Sequence, residues 1–212
     1  MNYEYPDFQA LPDPSHRPMY LTGVLQALKD LPQGASVLDA GCGGGDFSVG
    51  LAEAGFTVFG SDLSESGIAQ SQQRGIGTFK LSSIYDPLAV PFGRESFDAI
   101  VSIEVIEHLY SPATFAAGAM NALPPGGLVV ISTPYWGYLK NLVLALTNRT
   151  DRALTALWEG GHIKHFSRNT LTQLMTEAGF EVVGFQGCST GARAFVPGLW
   201  SGMLMTFRKP RR

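Results

Sequence analysis

The sequence is poor in cysteine and contains no long apolar run. Its 212 residues include two cysteines, Cys42 and Cys188, whose separation gives neither metal-ligand spacing nor a disulfide framework. Such cysteine usage fits a reducing compartment, so we expect a cytoplasmic protein. The longest apolar stretch, near residues 142–146, is far shorter than the ~20 residues that span a bilayer, so no stable membrane association is expected.

Positive charge is also scarce. The formal net charge is −3, which provides no general attraction for the phosphates of a nucleic acid. The only basic cluster lies in residues 208–212, and we interpret it as a solvated tail. Residues 1–20 carry acids and prolines rather than an apolar core, so they do not form a signal peptide. These observations favour a soluble protein that binds no nucleic acid. We expect a monomer or a homodimer, and the sequence does not select between the two.

Glycine, in contrast, is abundant, with 25 residues in 212. Apolar residues make up 45% of the chain and charged residues 16%, which is enough apolar material for a core and too little charge for a disordered chain. At about 100 to 200 residues per domain, the length fits a single domain. The question is therefore where the glycines lie.

Predicted strands and helices alternate along the chain. Apolar runs predict strands at residues 36–41, 57–62, 78–81, 97–103, 128–132, 180–185 and 202–207. Apolar positions at helical spacing predict helices at residues 18–31, 47–54, 64–74, 112–123, 139–146 and 167–178. This alternation predicts an α/β fold with a doubly wound, mostly parallel, seven-stranded sheet whose last strand is antiparallel, at or near the edge. Residues 1–17 are expected to be an arm that packs on the domain.

The first predicted strand runs directly into glycines 41, 43 and 45 and then into a helix. Glycines there allow a tight turn and close approach of a ligand to the main chain, while the helix start presents free N–H groups. Asp62 follows Gly41 by twenty-one residues, at the end of the second strand. A carboxylate in that place can accept hydrogen bonds from both hydroxyls of a ribose. The pattern predicts a nucleoside site.

The dinucleotide fingerprint G-x-G-x-x-G fits this turn poorly. Read from Gly41 it requires glycine at position 46, where Asp46 stands, and read from Gly43 it requires glycine at position 48, where Ser48 stands. A nicotinamide-dependent oxidoreductase therefore remains only as an alternative. A non-catalytic binding module is a second alternative.

Four segments in order resemble the class I S-adenosylmethionine-dependent methyltransferases, nearest to the branch with the ubiquinone-biosynthesis O-methyltransferases. They are residues 37–46, 60–64, 97–109 and 123–132, and the resemblance extends over about residues 37–185. It implies a Rossmann-like fold, S-adenosylmethionine as cofactor, S-adenosylhomocysteine as product, and methyl transfer to a small-molecule acceptor. It also divides the single domain into an N-terminal arm and helix (1–35), a cofactor-binding core (36–132), a lid or acceptor insertion (133–161) and a C-terminal part (162–212).

The resemblance also implies which residues hold the cofactor. The glycine turn would lie against the methionine and ribose portions, with Asp39 beneath it, Asp62 on the ribose and Leu63 against the adenine. The sequence after the third strand departs from the family's usual Gly-Asp-Ala pattern, so Ser83 and the backbone of Ile84 replace it as candidates, with Asp86 behind them. The full set of predicted cofactor-binding residues is Asp39, Gly41, Cys42, Gly43, Asp62, Leu63, Ser83, Ile84, Ile103 and Glu104.

A hydroxyl acceptor must lose a proton, and histidine is the usual proton acceptor near neutral pH. The candidate catalytic residues are His108, which follows the fourth strand, and His162 and His165, which follow the insertion. Each has the alternative of a purely structural role in fixing its loop. No metal site is predicted, because neither a cysteine nor a clear carboxylate accompanies the last two histidines.

Aromatic residues crowd the insertion after the fifth strand. We expect Tyr135, Trp136, Tyr138 and Trp158 to bind the acceptor, with simple packing of the insertion as the alternative. The expected reaction is O-methylation by in-line displacement, in which alignment of the acceptor supplies most of the rate enhancement. N- and C-methylation remain open, because a fold does not fix a function.

Overall fold

The computed structural model describes residues 16–154, 156–158 and 160–211, and its centre is a seven-stranded sheet. The strands are β1 Ser36–Ala40, β2 Thr57–Asp62, β3 Gly77–Leu81, β4 Ala99–Ile103, β5 Leu128–Pro134, β6 Glu181–Cys188 and β7 Gly202–Arg208. Their order is β3-β2-β1-β4-β5-β7-β6, and β7 is antiparallel to both of its neighbours. The predicted fold class is confirmed. The arm predicted for residues 1–17 lies almost wholly outside the described residues.

Helices cover both faces of the sheet. They are α1 His16–Leu28, α2 Asp46–Glu53, α3 Glu65–Gln73, α4 Pro112–Asn121, α5 Tyr138–Leu146, α6 Thr150–Leu154 and α7 Arg168–Glu177. Successive residues of a strand point to opposite faces, so β4 sends Ile100 into the core beneath α4 and α7, and Val101 into the core beneath α1 and α2. Burial on both faces explains why the central strands are continuous apolar runs.

Two helix starts follow from their capping residues. The Ser64 hydroxyl accepts a hydrogen bond from the Gly67 N–H at 3.0 Å and caps the start of α3, the helix predicted at residues 64–74. Ser167 and Thr170 form a reciprocal capping box at the start of α7. These local signals fixed the helix starts to within a residue.

β7 lies next to one edge of the sheet, between β5 and β6, which confirms the predicted antiparallel last strand at or near the edge. One helix was not predicted. The insertion contains α6, a helix of five residues that is too short to show a helical period. None of the helices in the described part of the chain is long and apolar enough to cross a membrane.

Candidate functional site

The glycine turn connects β1 to α2 at the carboxyl edge of the sheet. Gly41, Gly43 and Gly45 have φ angles of 84°, 49° and 77°, in the left-handed region that favours glycine. A Cβ on Gly41 would lie 2.5 Å from Cγ2 of Val105. The absence of a side chain at Gly41 therefore brings the turn into contact with the segment that follows β4.

Asp62, the last residue of β2, is hydrogen-bonded to this turn. Its Oδ2 accepts from the Gly43 N–H at 2.8 Å and its Oδ1 accepts from the Ser64 N–H at 2.8 Å. Burial raises the pKa of Asp62, and these two backbone donors act in the opposite direction. The Leu63 N–H also acts to lower this pKa. A carboxylate has about four acceptor positions, so Asp62 retains capacity for a ribose hydroxyl.

Two further residues hold the turn, and sequence reasoning missed both. Arg74 donates from Nε to the Gly44 carbonyl oxygen at 2.6 Å and from Nη2 to Asp46 at 2.5 Å. Gly67 allows the start of α3 to approach, since a Cβ there would lie 3.1 Å from the Gly43 carbonyl. No local pattern marks either residue, because the contacts join positions that are more than twenty residues apart.

Asp39 lies beneath the turn and is fully buried. Its Oδ2 accepts a hydrogen bond from the Ser48 hydroxyl at 2.6 Å, which joins β1 to α2. Burial raises the pKa of Asp39 to about 7, the Ser48 hydrogen bond lowers it, and the Asp62 charge raises it. A carboxyl group in this position therefore stays protonated over a wide pH range.

We expect Asp39 to make folding less favourable as the pH rises. Its pKa is higher in the folded protein than in the unfolded chain, so the folded state binds more protons between pH 4 and 7 and the free energy of unfolding falls across that window. The total is on the order of 4 kcal/mol for a shift of about three units. Urea unfolding of wild type and Asp39→Asn at pH 4.5 and 7.5 should show a smaller decline in the variant. An equal decline in both proteins would contradict the assignment.

The loop after β3 lies beside Asp62. The Ser82 N–H donates to the Asp62 carbonyl oxygen at 3.0 Å, and the Ser83 hydroxyl accepts from the Tyr85 N–H at 3.2 Å. Ile84 is buried, whereas Leu63 is 54% exposed. An exposed leucine directly after Asp62 provides an apolar surface of the kind that an adenine ring would cover.

Beneath the turn, Cys42 is buried and packs where a side chain at Gly60 would stand, with Sγ 2.9 Å from that Cβ position. Burial raises the pKa of the Cys42 thiol far above its usual range. A packing role in the turn fits these features, and a thiolate role does not.

Glu104 follows Ile103, the last residue of β4, and has a positive φ of 55°, which is uncommon outside glycine. Its N–H donates to the Ser132 hydroxyl at 3.0 Å, and that hydroxyl donates to Glu104 Oε1 at 2.9 Å. Tyr20 of α1 is close enough to Glu104 for the two groups to interact, and burial and then the Glu104 charge raise the pKa of Tyr20 strongly. This network fixes the chain where β4 leaves the sheet.

Two of the three candidate catalytic histidines lie together. The rings of His108 and His162 have centroids 4.9 Å apart, and Trp158 contacts both, at 6.0 and 5.4 Å. His108 Nδ1 lies 3.0 Å from the Gly160 carbonyl oxygen, and burial lowers the pKa of His108. A carbonyl oxygen accepts only, so this nitrogen carries the proton.

His165 belongs to a different cluster. Its ring stacks edge-on against Trp136 at 4.5 Å, and burial and then the Lys140 charge lower the pKa of His165. Lys140 itself lies 4.9 Å from the centroid of the Trp136 ring and donates to the Tyr135 carbonyl oxygen at 2.7 Å. The i, i+3 spacing of His162 and His165 therefore does not make them a pair.

The expectation that no carboxylate accompanies His162 was wrong. Glu107 Oε1 lies 3.9 Å from His162 Nε2, and ligand atoms of Glu107, His108 and His162 all lie within 4.8 Å of one another. Three such groups could surround a metal ion. His108 is already hydrogen-bonded to main-chain carbonyls and Glu107 is fully buried, so we interpret the group as a cluster of ionisable side chains and assign no metal ligands.

The predicted acceptor-binding aromatics do not form one wall. Trp158, 49% exposed, lines a cleft of about 240 Å³ together with His162 and Tyr110. Tyr135 packs against Phe185 and Trp200, and Tyr138 is 83% exposed at the start of α5. Trp158 is thus the predicted aromatic that shares a cleft with a candidate catalytic histidine.

Comparison with known proteins shows which protein family has this sequence pattern and fold. Residues 15–184 match a family model described as a methyltransferase domain. The ubiquinone biosynthesis O-methyltransferase of Dinoroseobacter shibae is 29% identical over 161 residues, which are 73% of this chain and 63% of that protein. A probable S-adenosylmethionine-dependent methyltransferase of Mycolicibacterium smegmatis is 32% identical over 170 residues, which are 80% of this chain and 61% of that protein. The chain thus spans less than two thirds of the length of these two relatives.

A solved structure shows the same fold. The magnesium protoporphyrin IX methyltransferase of Synechocystis PCC 6803, crystallised with bound S-adenosylhomocysteine, superposes with a TM-score of 0.67. The alignment covers 97% of this chain and 90% of that one at 20% sequence identity. At this identity the likeness establishes the fold, and the chemistry has to be argued from the residues themselves.

Proposed function

The chain belongs to the S-adenosylmethionine-dependent methyltransferase domain family, and on that premise we propose that it transfers a methyl group from this cofactor to a hydroxyl of a small-molecule acceptor. The observation that carries the proposal is the direct bond between the glycine turn and Asp62. It joins the carboxyl ends of β1 and β2 into one nucleoside-binding unit, where open α/β sheets bind their ligands.

The residues of this unit fit the cofactor. Asp62 has acceptor capacity for ribose hydroxyls, Leu63 is exposed beside it, and the turn has no side chains at Gly41 and Gly43 to hold a ligand away from the main chain. S-adenosylmethionine carries no pyrophosphate, so a turn without the complete dinucleotide fingerprint is sufficient. When bound, the cofactor supplies an electrophilic methyl carbon on a sulfonium.

In this proposal, different parts of the chain bind the cofactor and the acceptor. Residues 36–132 bind and orient the cofactor through the ten cofactor-binding residues predicted above, and residues 133–161 with the histidine cluster receive the acceptor. Alignment of the acceptor oxygen with the methyl carbon is the main contribution, since well-oriented reactants gain up to ~7 to 11 kcal/mol. Trp158 and the cleft beside His162 offer an apolar wall for that acceptor.

A hydroxyl is the favoured acceptor because two histidine side chains lie at the same edge of the sheet as the proposed cofactor site. His108 and His162 stand next to each other near the end of β4, where a proton released by a hydroxyl would need an acceptor. The relative from Dinoroseobacter shibae is named as an O-methyltransferase, which supports the same choice. Neither the oxidoreductase nor the binding-module alternative has a specific observation in its favour.

The test has two stages. Isothermal titration of the full chain should detect S-adenosylhomocysteine and S-adenosylmethionine and no nicotinamide dinucleotide. Methyl-labelled S-adenosylmethionine is then offered with matched acceptors, catechol and 1,2-diaminobenzene, and the label should appear on the catechol. Label on the diamine alone would replace O- by N-methylation, and tight binding of NAD without the sulfonium would overturn the proposal.

A further inference from the structure

We propose that Glu107 and His162 act as a pair, in which the His162 imidazole accepts the proton of the acceptor and Glu107 is the positioning residue that holds and charge-balances it. The inference rests on the proposed function and goes beyond it by selecting one of three histidines and by giving a role to a carboxylate outside the predicted site. It starts from the burial of Glu107.

Glu107 is 0% exposed, an unusual environment for a carboxylate. In the described part of the chain, neither of its side-chain oxygens has a donor in hydrogen-bonding geometry, and the nearby Thr133 side chain acts to lower its pKa. Burial raises the pKa of Glu107 well above its usual range, and the nearby Glu104 carboxylate adds to that effect. A positive charge next to this carboxyl group would oppose the rise in its pKa and favour its ionised form.

His162 is where such a charge can appear. Its Nε2 lies 3.9 Å from Glu107 Oε1, within ion-pair distance but longer than a hydrogen bond. The Ile163 and Lys164 N–H groups both donate to the Glu107 carbonyl oxygen, at 3.0 and 2.9 Å, so the backbone after His162 is fastened to Glu107. Catalytic hydrogen bonds are often long in ligand-free structures and shorten in the complex.

Access distinguishes the two members of the pair. The His162 side chain is 21% exposed and lines the cleft with Trp158, whereas Glu107 is closed off behind it. An acceptor molecule in the cleft can therefore reach the imidazole and not the carboxylate. This is the arrangement expected of a base and the group that orients it.

His108 is less suited to the role. Its Nδ1 is bonded to main-chain carbonyls at the Gly160 and Gly161 positions, and burial lowers its pKa, which disfavours the protonated ring. Among the residues that the structure describes, no ion pair involves His108. His165 stacks on Trp136 beside the positive Lys140, which also opposes protonation.

In the proposed transfer step, the acceptor gives up a proton as it gains the methyl group. The acceptor O–H bond breaks and its proton passes to the imidazole, while an oxygen electron pair forms the bond to the methyl carbon. The carbon–sulfur bond breaks with its pair going to sulfur, so the sulfonium becomes a neutral thioether. The positive charge lost by sulfur reappears on His162, and Glu107 stabilises it there.

The groups that surround the pair set its pH response. Glu104 and Tyr20 lie on the side of α1 and β4, and His108 lies on the adjacent turn. Glu104 acts on Glu107, whose pKa it raises, and a protonated His108 would oppose a second positive charge on His162. A substitution at Glu107 should therefore move the protonation of His162 more than that of any other ring.

The first test needs no acceptor. In histidine-labelled full-length protein, NMR titration follows the ring of His162, assigned by its loss in His162→Gln. In Glu107→Gln the pH midpoint of His162 should fall by about one unit, because a carboxylate that close favours the charged ring by one to three units. The His165 midpoint, in the same spectrum, should not move. An unchanged His162 midpoint overturns the proposal.

The second test uses the acceptor methylated in the panel above. His162→Gln should lower kcat by ~10² to 10⁴-fold and remove the acid limb of its pH profile. Glu107→Gln should shift that limb to lower pH, Glu107→Asp should restore part of it, and Glu181→Gln on the edge strand serves as the control. Titration with S-adenosylhomocysteine should give wild-type affinity in every variant.

The outcomes separate the two proposals. A wild type that binds no S-adenosylhomocysteine refutes the proposed function, whereas normal binding with an unaltered kcat profile in Glu107→Gln refutes the pair alone. If Glu107→Gln does not fold, the kcat of His162→Gln decides whether His162 is the base. The His162 side chain is partly exposed, so this variant should fold. Activity that is lost with EDTA and restored by MgCl2 or ZnCl2 would mean that the cluster holds an ion, and would also overturn the pair.

Discussion

Replacing Asp62 by alanine should weaken binding of S-adenosylmethionine at least 100-fold. The substitution removes the carboxylate that bonds the Gly43 and Ser64 N–H groups, and with it the proposed acceptor for the ribose hydroxyls. Hydrogen bonds to a charged group contribute about 1.5 to 3 kcal/mol each, and 2.7 kcal/mol corresponds to a factor of 100. Isothermal titration with S-adenosylhomocysteine measures the change.

The control for this prediction is Asp30→Ala. Asp30 is an exposed carboxylate just after α1, and its removal should leave the dissociation constant unchanged. Circular dichroism establishes that both variants are folded. A dissociation constant of Asp62→Ala within about threefold of wild type would show that the cofactor does not depend on this carboxylate, and the site would have to be sought elsewhere.

A methyl group at Gly41 should have the second large effect. Gly41 has a φ of 84°, where a side chain costs roughly 1 to 2 kcal/mol, and its Cβ would stand 2.5 Å from Val105. The turn or the segment after β4 must then move. We expect Gly41→Ala to lower the melting temperature by roughly 4 to 10 °C and to weaken cofactor binding at least tenfold.

Gly75→Ala provides a matched control. Gly75 also has a positive φ, 64°, but no atom lies within 4 Å of a Cβ built there. It therefore reports the backbone strain without the collision, and cofactor affinity should stay at the wild-type value. In the double variant Gly41→Ala/Val105→Ala the side chain at position 105 is shorter, so part of the lost stability and cofactor affinity should be recovered. Equal effects of alanine at positions 41 and 75 would show that close packing at the turn is unimportant.

Much of the fold follows from local sequence features. The β2 boundaries, Thr57–Asp62, match the predicted 57–62, because an apolar run ends there at an acid that begins a loop. The start of α3 follows from the Ser64 cap, and the glycine turn from the joint occurrence of Gly41, Gly43 and Gly45. Such signals depend on neighbours in the chain and need no knowledge of the rest of the molecule.

Other parts of the site depend on contacts between distant positions. Arg74 reaches the carbonyl of Gly44 from the far end of α3, and Tyr20 reaches Glu104 from α1. α6 was missed because five residues are too few to show a period. In each case the sequence shows residue types but not the distance between them.

The histidines show most clearly which features follow from local sequence and which depend on the tertiary structure. By itself, the sequence determined the alternating fold, the glycine turn with Asp62 at its side, and a set of histidines expected at the carboxyl edge, because strand runs, glycines and caps act locally. Only the tertiary structure decided that His162 meets Glu107 and His108 while His165 turns to Trp136. The physical reason is that the turn after β4 and the end of the insertion are more than fifty residues apart. They are joined by main-chain hydrogen bonds to the Glu107 carbonyl oxygen and by a hydrogen bond from the His108 side chain, and no local pattern encodes that contact.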